Sequence, residues 1–359
     1  MSNTVLIGDR PVGEDHPCYI VAEAGVNHNG ELELAKQLVD VAAESHADAV
    51  KFQKRTVQDI LIREALVVPY DRPTSLGATY GEHRDRLELS REAYFELVER
   101  CRERNITFLA SAWDIRSADF VEELGVPAFK TASADLTNLP LIDHIAKKNK
   151  PILMSTGMST MDEIEDAVAT VRRYHDQLIL LQCTSTYPNE NKNVNLRVMK
   201  TLRDKFDLPV GYSGHERGLA PTEAAAALGA VVIERHFTLD RTMQGPDHAA
   251  SLEPSGLRLL IRNIRNIETA LGSSEKHILD EEWPLRHRLA KSVVAACDIP
   301  AGTTITREMV TVKGPGTGIS PRLVDRIIGV IAQSEIAEDT LIPQEAIEWT
   351  QALSSGSPA

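Results

Sequence analysis

Short apolar runs rich in branched side chains recur along the first 272 residues. They are CYIVAEAG (18–25), DAVKFQ (48–53), TFLASAW (107–113), PAFKTAS (127–133), PILMSTG (151–157), LILLQCTS (178–185), LPVGYSG (208–214) and VVIERHFT (231–238). Runs this short, mostly bounded by turn residues, fit strands buried on both faces. Amphipathic stretches with helical spacing lie between them, such as LELAKQLVDVAAE, REAYFELVERCRER and MDEIEDAVATVRRY. The last is preceded by Ser159-Thr160 and carries Glu163 three residues after Thr160, a capping-box pattern. The eighth helix, SGLRLLIRNIRNIETALG, ends at Gly272. Eight strand–helix units in roughly 250 residues predict an α/β fold, a (β/α)8 or TIM barrel. An open, doubly wound sheet is the runner-up, weakened because no GxGxxG follows the first strand.

Two features depart from plain alternation. TVLIGDRPVG (4–13) reads as a hairpin turning near Gly8-Asp9 and placed to plug the barrel floor. The connection at 56–90 is far longer than a usual strand-to-helix loop, which marks it as a lid or binding loop. Beyond the barrel (1–272), the stretch 273–289 reads as a linker. Residues 290–350 then carry short strands punctuated by Gly and Pro (IPAGT, KGPGTG), a compact β-rich domain. So small a domain has a meagre core and is expected to lean on the barrel or on a partner subunit. The tail, 351–359, is expected to be disordered.

Composition narrows the function. A net charge of −13 argues against nucleic acid and anionic membranes as partners. It leaves room for an anionic substrate, because a few lysines can reverse the field inside a cleft. No apolar run approaches a membrane span, and the N-terminus predicts no signal peptide. Cys18, Cys101, Cys183 and Cys297 are widely spaced, as expected of reduced thiols in a cytoplasmic protein.

Polar residues gather late in the predicted strands, where barrel enzymes carry their chemistry. They are Glu23, followed by Asn27 and His28; Lys51 and Gln53; Ser111 and Asp114; Lys130, Ser133 and Asp135; Ser155 and Thr156; Gln182, Thr184, Ser185 and Tyr187; Tyr212, Ser213 and His215; and Glu234 and His236. Asp247 and His248 follow closely. Lysines inside strand runs are expensive unless paired. Lys51 and Lys130 therefore read as an anion clamp, as Schiff-base lysines, or as partners of barrel carboxylates. With Ser111, Ser133, Ser155, Ser185 and Ser213 they suggest a phosphate cradle. His215 and His236 end adjacent strands, so both imidazoles can reach one divalent ion, Mn²⁺ or Mg²⁺, with water and oxygen ligands completing the shell. Glu234 could orient or supplement that site. The alternative is a histidine that only hydrogen-bonds in the core.

The motifs AEAGVNHNG (22–30), KFQK (51–54), TYGEHR (79–84), STGM (155–158), QCTSTYPNENKNVNLRVM (182–199), GYSGHE (211–216), ERHFTLD (234–240) and GPDHAASLEP (245–254) together resemble the sialic acid (N-acetylneuraminate) synthase family, including its 9-phosphate-forming branch. KSVVA (291–295) resembles the opening of that family's antifreeze-like, or SAF, domain. The resemblance implies condensation of phosphoenolpyruvate with N-acetylmannosamine or its 6-phosphate, and a domain-swapped homodimer. It implies that His215 and His236 hold the metal, and that Glu23 handles the water or proton at C2. Lys51, Lys130 and the five serines would bind phosphoenolpyruvate, Asp135 and Asp247 sugar hydroxyls, and Gln53 and Tyr187 would line the pocket. Two positions depart from the family pattern. TASAD (131–135) lacks the usual glycines of that strand, and Gly314 stands where free-sugar enzymes carry an arginine for the N-acetyl group. The open alternatives are a related nonulosonate, a Schiff-base aldolase and a sugar-binding protein. Arg63, Arg72, His83, Arg84 and Arg86 in the long loop read either as contacts for a sugar phosphate or as a solvated charged face.

Overall fold

A computed structural model describes residues 4–348. The tail at 351–359 lies outside the described residues. The chain divides into two compact units, one ending at Gly272 and one beginning at Ser273.

The first unit opens with an antiparallel hairpin of β1 (Val5–Ile7) and β2 (Arg10–Val12), turning at Gly8-Asp9. Eight parallel strands then close into a barrel: β3 (Tyr19–Gly25), β4 (Ala49–Lys54), β5 (Thr107–Ala112), β6 (Phe129–Thr131), β7 (Ile152–Ser155), β8 (Leu178–Cys183), β9 (Val210–Gly214) and β10 (Val232–His236). Strand β10 pairs with β3, which completes the ring.

Alternation along each strand separates two apolar clusters. Ile20, Val50, Phe108, Ile152, Leu180 and Ile233 point outward against the helices. Tyr19, Val21, Ala49, Leu109, Leu153, Ile179 and Val232 point inward and share a cluster with Val5, Ile7 and Val12 of the hairpin. The hairpin therefore caps the lower barrel with apolar side chains. One step higher on the inward face the residues turn polar, and the site begins there.

Local chemistry fixes the outer layer. The helix Met161–Arg172 starts with a reciprocal capping box, in which Thr160 N–H donates to Glu163 (2.7 Å) and Glu163 N–H donates to Thr160 Oγ1 (3.4 Å). The long 56–90 connection is ordered into three short helices, Val57–Ile60, Arg63–Leu66 and Tyr80–Arg86. Its end is pressed against the loop after β3. Gly30 has φ +80°, and a Cβ there would stand 2.1 Å from the Arg86 carbonyl oxygen, so only glycine fits.

The second unit pairs β11 (Ser292–Ala295) antiparallel with β12 (Val310–Lys313). Val293, Ile299, Ile305, Ile327, Ile336 and Ile342 form its own core. The stretch read as a linker is partly helical, over Trp283–Leu289.

Just above β3, His28 is fully buried. Its Nδ1 accepts the Gly30 N–H (3.0 Å), and its ring lies 5.9 Å from Phe52. Burial, then the nearby Arg55, pushes its pKa from 6.5 down to about 3. The unfolded chain protonates this imidazole near 6.5 and the folded chain only near 3. Stability is therefore fully present above the higher value and is lost as pH falls through the window. In His28→Gln, the slope of unfolding free energy between pH 6 and 4, measured by urea titration, should be shallower by about 1.4 kcal/mol per pH unit. Equal slopes would contradict this.

Candidate active site

The first polar layer on the inward barrel face joins seven strands. Register sets Glu23 beside Lys51, Ser111 beside Lys130, and Ser213 beside Glu234. The Lys51 ammonium lies 2.7 Å from Glu23 Oε2 and 3.8 Å from Glu234 Oε1, and donates to Ser111 Oγ at 2.8 Å. Lys130 donates to Ser155 Oγ (2.7 Å) and to the Thr131 carbonyl (2.9 Å), 3.9 Å from Glu234 Oε1. Ser213 donates to Glu234 at 3.2 Å. All four charged groups are buried, with Lys51 and Lys130 each 2% exposed. Lys51, Lys130, Ser111, Ser155 and Ser213 thus converge on one carboxylate-braced cluster.

The two carboxyls are not equivalent. Burial raises the Glu23 pKa, and the repulsion of Glu234 adds to it, so Lys51 only partly offsets the rise. Glu234 feels burial too, but Lys130 and Lys51 overcome it and hold its pKa below the usual range. Burial opposes the charge on Lys51 as well, yet Glu23 and Glu234 raise its pKa; for Lys130 burial prevails and the pKa falls. The two carboxyls of one site are thus pushed apart in pKa, Glu23 upward and Glu234 downward.

Beside this layer stand the two histidines, with ring centroids 5.2 Å apart. His215 Nδ1 lies 2.9 Å from the Thr184 carbonyl oxygen, so it carries the donated proton; burial opposes a charge on this ring, but Cys183 and that carbonyl raise its pKa. Burial drives the His236 pKa down to about 4, which leaves that ring neutral near pH 7. His236 Nδ1 is buried without a hydrogen-bond partner, 3.6 Å from Asp247 Oδ2. Tyr187 lays its ring 4.0 Å from His215 and edge-on to His236 at 5.7 Å. Gln53 donates to Glu23 Oε1 (3.0 Å). At Gly25 (φ +55°) a Cβ would meet Glu23, Gln53 and Asp247 within 3.5 Å, so these three side chains converge over bare backbone.

Other predicted residues sit further out. Ser133 accepts the Gly157 N–H (3.1 Å), and a Cβ at Gly157 would stand 2.4 Å from Ser185 Oγ, so both hydroxyls close over that glycine. Asp135 is bonded to Asn138 (3.4 Å), and burial lifts its pKa to about 6. No hydrogen bond among the described residues ties it to the histidines.

Three features escaped the sequence reading. Glu234 bridges both lysines, although it was weighed only as a helper of the histidines. The buried Cys183 thiol lies 3.9 Å from His215 Nδ1, and nothing in a lone buried cysteine signals that. Behind the histidines, Glu216 and Arg235 form a buried pair. Arg235 donates to Glu216 Oε1 (2.8 Å), to the Glu216 carbonyl (2.8 Å) and to Thr222 (2.6 Å), and Tyr212 donates to Glu216 Oε2 (2.7 Å). One member follows His215 in sequence and the other precedes His236, so the pair ties the two strand ends together.

The donor set fits an open metal site better than a closed one. Two imidazoles and the nearby Asp247 supply nitrogen and oxygen donors. Among the described residues, no group of three or more His, Cys, Asp or Glu converges as a ready cage. Such a site would need water or substrate oxygens to complete the shell, and a closed structural zinc site does not fit.

Residues 38–276 match the NeuB family, and residues 290–348 match the SAF domain. The chain belongs to the NeuB family. Among relatives, N-acetylneuraminate-9-phosphate synthase of Mus musculus is 44% identical, with 96% of each chain covered. N,N'-diacetyllegionaminic acid synthase of Legionella pneumophila is 40% identical over 97% of this chain and 99% of its own. The crystal structure of N-acetylneuraminic acid synthetase from Leptospira borgpetersenii superposes with a TM-score of 0.71 at 32% identity, covering 79% of this chain and 95% of that one. The NeuB match spans the strands that carry every site residue from Lys51 to Asp247 and leaves Glu23 just outside.

Glu216→Ala would strand a buried guanidinium. It should lower the stability of the barrel by about 3–5 kcal/mol in urea unfolding. A loss under about 1 kcal/mol would contradict a buried, interdependent pair.

Proposed function

We propose that this NeuB-family protein is a sialic (nonulosonic) acid synthase, condensing phosphoenolpyruvate with N-acetylmannosamine or its 6-phosphate. The observation that carries the reading is the buried cluster of Lys51, Lys130 and their serine partners, placed beside His215 and His236 at one barrel mouth. The lysine ammonium groups, with Ser111, Ser155 and Ser213, bind the phosphate and carboxylate of phosphoenolpyruvate; Ser133 and Ser185 extend that set. Gln53, Tyr187, Asp135 and Asp247 hold the sugar. Mn²⁺ or Mg²⁺ on His215 and His236 would act as a Lewis acid towards the sugar aldehyde.

The reaction balances as phosphoenolpyruvate, aldehyde and water giving a 3-deoxy-2-keto acid and phosphate. C3 of phosphoenolpyruvate bonds to the aldehyde carbon, and the aldehyde oxygen gains a proton. Water adds at C2, and the C2–O bond to phosphate breaks. Glu23, whose pKa burial raises above the usual carboxylate range, is suited to exchange a proton with that water. The small SAF unit would close the sugar end in the partner of a domain-swapped homodimer. Cysteines that are all free fit a cytoplasmic setting.

One observation favours a second reading. The depressed pKa of Lys130 is what a Schiff-base lysine requires. That enzyme would work in EDTA and be trapped by borohydride with its substrate. The synthase should instead release phosphate from phosphoenolpyruvate only with Mn²⁺ or Mg²⁺ and a hexosamine acceptor. His236→Ala should lose about a thousandfold or more in turnover while phosphoenolpyruvate still binds, as read by titration calorimetry. Full turnover in that variant would refute the metal assignment.

A further inference from the structure

Among the basic side chains of the 56–90 connection, Arg84 is engaged by the Tyr80 hydroxyl, which accepts from its Nε at 2.9 Å. His83 is buried, its Nδ1 accepting the Leu76 N–H at 3.2 Å. Arg55, just ahead of the connection, reaches the site. Alternation sets Lys51, Gln53 and Arg55 on one side of the chain, and Arg55 lies one step past the end of β4. Trp113 lies one step past β5. Its N–H donates to the Lys54 carbonyl (3.1 Å), which extends the β4–β5 pairing and sets the Arg55 guanidinium over the Trp113 ring at 5.2 Å. Arg55 is 1% exposed.

The guanidinium divides its donors between two partners. Nε pairs with Glu88 Oε1 at 2.8 Å, and the same carboxyl accepts from Lys54 (2.9 Å) and from the Arg55 backbone N–H (3.2 Å). Nη2 donates to Gln53 Oε1 at 2.9 Å. Gln53 in turn donates through Nε2 to Glu23 Oε1 at 3.0 Å, and Lys51 lies 2.7 Å from Glu23 Oε2. A guanidinium only donates, whereas a primary amide presents an acceptor at one end and donors at the other, with nearly the same shape. A glutamine left alone can turn either end to Glu23. With Arg55 behind it, the amide oxygen is taken and the NH2 must face the carboxyl. Pairing with Glu88 alone would need only a point charge; the second contact is what uses the arginine fork.

We propose that Arg55 is a positioning residue of the active site, acting through Gln53 to hold the Glu23 carboxyl in one orientation. The proposal rests on the synthase reading, which gives Glu23 the proton exchange at C2, and adds a residue to it. Both Glu23 oxygens are engaged, Oε1 by Gln53 and Oε2 by Lys51, and release of either contact would leave a buried group unpaired. The orientation is therefore built before substrate arrives. Proton transfer with the water at C2 depends on it, because a misplaced carboxyl costs rate even where binding is unaffected.

The test is a pair of substitutions read by kcat and by KM for phosphoenolpyruvate, with N-acetylmannosamine or its 6-phosphate saturating and Mn²⁺ or Mg²⁺ present. Arg55→Met keeps an apolar contact for Trp113, and Glu88 keeps Lys54. Arg55→Lys keeps a cation for Glu88 but lacks the fork. Both should lower kcat about tenfold or more, with KM within about twofold of wild type. In a Gln53→Met background, Arg55→Met should cost no more than about twofold further, because the relay is already cut. Full kcat in Arg55→Lys would show that pairing with Glu88 is the whole role and would overturn the proposal. So would a further loss of about tenfold in the double variant, or a rise in KM at unchanged kcat. Silence of the wild type with every acceptor would instead overturn the synthase reading. Hydrogen exchange of the Gln53 side-chain amide, followed by NMR and assigned by its absence in Gln53→Met, needs no turnover and would then decide the positioning. Exchange about tenfold or more faster in Arg55→Lys supports the relay, and equal rates overturn it.

Discussion

Four charged side chains share the upper interior of the barrel, and the rest of the site is arranged around the cost of keeping them there. Each of Lys51, Lys130, Glu23 and Glu234 is nearly excluded from water. An isolated ion at such a position would neutralise or unfold its surroundings. Mutual pairing makes the group tolerable, and the serines of three strands complete the hydrogen bonding. The compensation is unequal. Glu234 receives both lysines, whereas Glu23 receives one lysine, an amide and the repulsion of its neighbour. A cluster balanced in formal count thus holds its two carboxyls at unlike pKa values, Glu23 raised and Glu234 lowered.

The layers above and below follow from that constraint. Below, the hairpin and the inward apolar residues seal the floor, which keeps the cluster in a low-dielectric environment. Above, the histidines are held by partners outside the cluster. His215 is oriented by a backbone carbonyl, and both strand ends are tied by Glu216 and Arg235 on the outer face. That separation matters, because a histidine bonded into the charged layer would lose the lone pair a metal needs.

Much of this was legible in the chain. The strands could be read because buried parallel strands are apolar on both faces until their last residues, and the change to Lys51, Ser111, Lys130, Ser155, Ser213 and Glu234 marks the mouth. Direction along a strand is encoded in sequence, whereas partnership across strands is not. Glu234 therefore passed for an accessory of the histidines, although register and distance make it the bridge between the lysines. Glu216 and Arg235 were invisible for a related reason: a charge next to a site residue on a strand reads as solvent-facing, and only the packed helix layer shows it to be buried. The 56–90 loop gave composition without placement, so which of its basic residues were already engaged became clear only in three dimensions.

The central claim is that Lys51 and Lys130, braced by Glu234, form the anion cradle for phosphoenolpyruvate. Titration calorimetry of phosphoenolpyruvate into metal-depleted Lys130→Met protein, with wild type alongside, addresses it directly. Loss of one charge-assisted contact should raise Kd by about tenfold or more while the fold persists. A Kd within about twofold of wild type would show that the cradle does not bind the anion and would contradict the account.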